Sequence, residues 1–226
     1  MKLIFVFCFL IVFSSCNNKK KENIKAETAE SERVLTTQEK IAYKNGFEEW
    51  DSVSEIKFTF NVDRGESHYE RSWLWEPKND KVVMIQKEDS IQYNRKQMDS
   101  ITLKTDASFI NDSYWLLAPY KLVWDKGTTS KEMTDVIAPM SKDTLNKLTV
   151  LYGNEGGYTP GDAYDFYYDE DFRIKEWIFR KSNSEIPTMM TTWEDYKNHN
   201  GLLLAEKHTD STGAFSLYFT NIEVTK

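Results

Sequence analysis

Apolar residues fall at every second position from Ile56 to Val62, where Ile56, Phe58, Phe60 and Val62 alternate with Lys57, Thr59, Asn61 and Asp63. Successive side chains of a strand point to opposite faces, so this period reads as a half-buried β-strand. Arg64-Gly65 closes it as a turn. The stretch 68–76 alternates again, with Tyr69, Arg71, Trp73 and Trp75 on one side, and Pro77 with Asn79-Asp80 marks the next turn. Residues 81–87 and 90–95 read as two more strands. Short segments joined by turns predict an antiparallel meander with one dry and one wet face. Further strands are expected at 145–152, 164–168, 174–180, 189–196, 202–208 and 215–224. Asp169-Glu170-Asp171 and Asn198-His199-Asn200-Gly201 supply turns between them.

Two helices interrupt this pattern. Thr36-Thr37-Gln38-Glu39 has the Thr-x-x-Glu form of a capping box, and Tyr43, Phe47 and Trp50 follow at helical spacing. A first helix is therefore expected over 37–50. Asp106 reads as the N-cap of a second over 107–117, in which Ile110, Tyr114 and Leu117 share a face and Pro119 ends the run. No fixed-period repeat is present, which argues against a solenoid.

The N-terminus has a different composition. Lys2 precedes an apolar run from Leu3 to Phe13, and Ser14-Ser15-Cys16 follows. This is the layout of a secretory signal with a small-residue cleavage site. With a cysteine at the cleavage point it resembles a bacterial lipoprotein signal, which implies that residues 1–15 are removed and that Cys16 carries lipid. An ordinary signal peptide or a short membrane anchor is the alternative. The run is too short to span a bilayer, which takes about 20 apolar residues. Residues 16–33 are rich in Lys, Glu, Ser and Ala, and read as a flexible tether that cannot offset its ordering entropy. Residues 34–226 are then one domain without a thiol, since Cys8 and Cys16 are the only cysteines. The formal charge is −7, and loss of the signal removes one lysine and no acid. That balance argues against a nucleic-acid partner.

Aromatic residues make up 14% of the chain, with Trp50, Trp73, Trp75, Trp115, Trp124, Trp177 and Trp193 spread along the domain. Such content fits either a large β core or an apolar cavity. His68, His199 and His208 show no metal-binding spacing, and the acidic run at 169–171 lacks the spaced ligands of a calcium loop. The glycine-rich stretch 156–162 is not followed by Lys-Ser/Thr, so it is no P-loop. It serves conformational freedom at positive φ or covers a cavity mouth. No Gly-x-Ser-x-Gly elbow occurs. These patterns point to no catalytic residue, metal or cofactor.

Several segments carry a resemblance. They are Asn111-Asp112-Ser113-Tyr114-Trp115-Leu116-Leu117-Ala118-Pro119, Tyr158-Thr159-Pro160-Gly161-Asp162 with Tyr164, Ile174-Lys175-Glu176-Trp177, Gly201-Leu202 and Asn221-Ile222-Glu223-Val224. With the Cys16 signal and the strand pattern, they make the chain resemble LolA/LolB-type lipoprotein carriers, and lipoproteins of that architecture from Bacteroidota. The anchor brings it closer to LolB. The resemblance implies an α+β fold, a strongly curved antiparallel sheet forming an open half-barrel with helices on its concave face. It implies a monomeric, periplasm-facing outer-membrane lipoprotein, held by Cys16, that binds or carries a lipid, a lipoprotein acyl chain or another hydrophobic ligand and is not an enzyme. The rings expected to meet the ligand are Trp73, Trp75, Tyr114, Trp115, Phe166 and Trp177. A hydrolase on the same sheet, or a structural lipoprotein without a ligand, is the alternative. Fold does not fix function, so these implications rest on analogy.

Overall fold

The computed structural model describes residues 33–155 and 158–226. The signal, Cys16, the tether up to residue 32, and Gly156-Gly157 lie outside the described residues. The chain runs α1 (Thr37–Lys44), a 3₁₀ turn (Phe47–Ser52), β1 (Glu55–Arg64), β2 (Ser67–Glu76), β3 (Lys81–Gln86) and β4 (Asp89–Asn94). After α2 (Ser100–Trp124) come β5 (Thr128–Ile137), β6 (Thr144–Tyr152), β7 (Ala163–Tyr168), β8 (Ile174–Arg180) and β9 (Met189–Thr192). The last strands are β10 (Glu194–His199), β11 (Leu202–Thr209) and β12 (Phe215–Thr225).

The architecture is α+β and every strand pair is antiparallel, as the period predicts. The strands form two sheets rather than the expected single one. Seven strands lie in the order β10-β11-β12-β1-β2-β3-β4, and five in the order β5-β6-β7-β8-β9. The switch falls inside the expected strand 189–196. β9 pairs with β8, then Trp193 intervenes, and β10 pairs with β11 in the other sheet. Trp193 is buried and its backbone N–H donates to the Lys175 carbonyl at 2.8 Å. The buried face changes phase at this point: Thr191 and Trp193 are buried, whereas Asp195 is exposed at φ 53° and Tyr196 takes the inner side.

The capping box at Thr36 forms as predicted. Its hydroxyl accepts from the Glu39 N–H at 3.3 Å, and the Glu39 carboxylate accepts from the Thr36 N–H at 2.9 Å. The helix is shorter than expected, because Gly46 at φ 85° turns the chain after Lys44. A Cβ there would collide with the Gly201 carbonyl oxygen. The aromatic stripe persists across the break, with Tyr43 and Phe47 rings 5.7 Å apart and Trp50 5.3 Å from Trp75.

The second helix is longer than expected at both ends. Asp99, not Asp106, is its N-cap, with Oδ1 accepting from the N–H groups of Ile101 (3.0 Å) and Thr102 (2.8 Å). Pro119 lies inside the helix, and the turn before it bends at Leu117 (φ −118°, ψ 17°). A proline can neither donate to the preceding turn nor clear its carbonyl, and the bend absorbs both. Packing on both sides holds the kinked segment. Leu116, Leu117, Ala118, Pro119 and Tyr120 are buried, and the Tyr120 hydroxyl donates to the Asn45 carbonyl.

Candidate ligand cavity

α2 touches both sheets, and its periodicity divides it into two working faces. Phe109 and Asp112 point to the seven-stranded sheet. The Phe109 ring lies 5.3 Å from both Trp73 and Trp75. Asp112 Oδ2 accepts from Arg71 Nε (2.9 Å), Arg71 Nη2 (2.7 Å) and Trp73 Nε1 (2.8 Å). Burial pushes the Asp112 carboxyl up, while Arg71 and the Trp73 N–H oppose that shift. This pair anchors the helix to the sheet.

The other face carries Ala107, Ile110, Asn111, Tyr114 and Trp115, spaced as one helical stripe. These residues form one wall of a cavity of about 470 Å³. A second wall comes from β1 and β12, where Val62 pairs with Leu217 and Arg64 with Phe215, and Phe60 adds to it. Tyr164 of β7, Trp177 and Phe179 of β8 and Met189 of β9 make the third. Tyr164 pairs with Phe179, and Phe179 with Met189, so the register sets these side chains abreast. Tyr164 stacks on Trp177 at 5.2 Å and on Phe179 at 5.1 Å. Tyr158, Thr159 and Asp162 complete the lining.

Of the six rings singled out from sequence, Tyr114, Trp115 and Trp177 meet at this cavity. Phe166 is fully buried behind it, 6.2 Å from Trp177. Trp73 and Trp75 pack under the other face of α2, where Trp75 joins an aromatic cluster with Trp50 and Trp124. Trp73 is buried and Trp75 partly buried there, both against the Phe109 ring. Val62, Arg64, Met189, Phe215 and Leu217 line the cavity without having been singled out. The alternation of β1 shows which residues share a face, whereas the β1–β12 register that closes the wall is not readable from sequence.

Two carboxylates beside the cavity are hydrogen-bonded to their neighbours. Asp106 accepts from Tyr93 (3.0 Å), Arg95 Nε (2.8 Å) and Tyr158 (2.7 Å). Asp125 accepts from the Tyr152 hydroxyl at 2.6 Å. Burial pushes the hydroxyls of Tyr114 and Tyr152 well above the ordinary range, so both stay protonated donors. His208 touches the back of the wall, 5.4 Å from Trp115 and 4.5 Å from Trp193. Burial lowers its pKa to about 3, which leaves a neutral imidazole near neutral pH. His68 and His199 pair with Asp63 (2.7 Å) and Glu206 (2.6 Å) and are not among the cavity-lining residues. Among the described residues no group of three His, Cys, Asp or Glu side chains is placed to hold a metal ion. A partly open, mainly apolar space of this kind can hold an apolar chain by burial of its surface.

No family model matches the sequence. No curated protein matches it either. Its fold is similar to that of a DUF1329 family protein from Desulfovibrio piger (7% identity, 83% of this chain and 91% of that one, TM-score 0.45). It is similar also to a LolA superfamily protein from Nitrosomonas europaea (9%, 85% and 95%, TM-score 0.47). A third is an outer membrane lipoprotein-sorting protein domain from Vibrio parahaemolyticus (11%, 84% and 94%, TM-score 0.49). Likenesses of this degree fix neither a family nor an activity.

Proposed function

We propose that this chain is an envelope lipoprotein whose domain binds or carries a hydrophobic ligand, a lipid or a lipoprotein acyl chain, in the cavity beside α2. In this reading lipidated Cys16 holds a monomer on the outer membrane, facing the periplasm. The observation that carries the binding role is the cavity itself. Its volume of about 470 Å³ lies within the roughly 300–1,000 Å³ usual for small-molecule sites. Its walls are mainly aromatic and aliphatic side chains drawn from α2 and both sheets. Polar groups at the margin, such as Asp106 and Asp125, are held by hydrogen bonds to protein. The test is native mass spectrometry of the Cys16→Ala chain, with solvent extraction of whatever co-purifies. A bound lipid or acyl compound at stoichiometric level is expected. Extracts free of any apolar compound, joined to failure to take up added lipid, would leave the domain without a carrier role.

A further inference from the structure

The apolar cavity shares a wall with a second space of different chemistry. This neighbour has a volume of about 410 Å³, and Ile110, Tyr114, Tyr158 and Thr159 line both. Its remaining walls are polar and include Arg95, Lys121, Lys126, Asp125, Tyr152 and Glu155. The charges there are not alike in their commitments. Arg95 is bonded to Asp106, and Asp125 is held by Tyr152. Lys126 reaches the Val123 carbonyl at 3.4 Å. Lys121, in the last turn of α2, is half-buried, and no described side chain forms an ion pair or hydrogen bond with it. Its ammonium sits 6.0 Å from the Trp124 ring, and Asp125 and Asp106 act on it only through space.

A half-buried cation is partly desolvated, and a bonded anion offsets that cost. Burial accordingly pulls the Lys121 pKa below its usual value. An anion arriving with the ligand would supply the missing partner. We infer that the cavity takes a single-chain amphiphile with an anionic head, a carboxylate or a phosphate, whose chain lies against Tyr114 and Trp177 and whose head is bonded by Lys121. This rests on the cavity being a binding site. The cation that lines the apolar space itself, Arg64, is exposed and stacks on Phe215 at 5.3 Å, and Asp162 lines that space with one oxygen accepting from the Ser182 N–H.

Isothermal titration of the Cys16→Ala chain with palmitate, with uncharged monopalmitin and with inorganic phosphate tests this directly. Palmitate should bind about tenfold or more tightly than monopalmitin, the scale of one charge-assisted hydrogen bond. Lys121→Met should remove that preference and leave monopalmitin unchanged, while Lys121→Arg should keep it. Equal affinity of palmitate and monopalmitin in the unsubstituted cavity overturns the inference without using any variant. Loss of the preference in Arg64→Met but not in Lys121→Met also overturns it. Binding of phosphate alone, with palmitate no tighter, would make the polar space a free-anion site and refute the amphiphile. If neither palmitate nor monopalmitin binds, the cavity reading itself fails.

Discussion

His208 shows how far burial alone can set a side chain's chemistry. It lies between Trp115, Trp193 and Phe219, and its Nδ1 is 3.2 Å from the Thr192 carbonyl. Its folded pKa of about 3 lies below the ordinary 6.5. As pH falls through 6.5 the unfolded chain takes up a proton that the folded chain refuses. The stability due to neutral His208 is therefore complete above that value and drains away toward about pH 3, by at most about 1.4 kcal/mol per pH unit. Denaturant unfolding of the wild type and His208→Leu at pH 7, 6 and 5 checks this. The wild type should lose stability more steeply, and parallel slopes would contradict the assignment. At this scale the sequence was half legible. The spacing on α2 pointed to Tyr114 and Trp115, and alternation on β8 pointed to Trp177. Trp73 and Trp75 share the sheet face of Phe60 and Val62, since Trp73 pairs with Phe58 and Trp75 with Ile56. One end of that face meets Phe109 and the other opens on the cavity, a difference that exists only once α2 is docked.

Elements were most legible where burial is one-sided. β1, β2 and β12 show a period of two and formed close to their expected bounds. β5 gave no such signal, because Thr128-Thr129-Ser130-Lys131-Glu132-Met133-Thr134-Asp135 is an exposed edge strand with a register shift between Met133 and Val136. Polar edges of this kind resist pairing with other chains and carry no apolar alternation. The break after α1 also escaped the helical period, since the stripe of Tyr43, Phe47 and Trp50 continues through it. Gly46 makes that break a firm prediction. Gly46→Ala must hold φ near 85° and displace the Gly201 carbonyl, so it should cost more than the roughly 1–2 kcal/mol of left-handed backbone alone. Thermal unfolding measures the loss, and a variant as stable as the wild type would show that the close approach is not required.

For the whole molecule, the antiparallel α+β class was legible, and the division into two sheets was not. Pairing partners are set by contacts distant in sequence, as where β12 returns to β1 or where β10 leaves β9 for β11. The proposed lipid anchor acts on the whole molecule. Cys16→Ala should move the protein from the membrane to the soluble fraction and abolish acyl labelling, because several acyl chains at about 0.8 kcal/mol per methylene supply the attachment. A variant that stays on the membrane would contradict lipid anchoring. The space among β1, α2 and β8 is proposed as a ligand site and not imperfect packing. Titration of a fluorescent fatty acyl probe into the Cys16→Ala chain, with and without Val62→Trp, tests it most directly. Saturable binding is expected, weakened about tenfold or more by the added indole while the unfolding midpoint holds. Absence of saturable binding to the open cavity, or equal binding to the filled one, would contradict it.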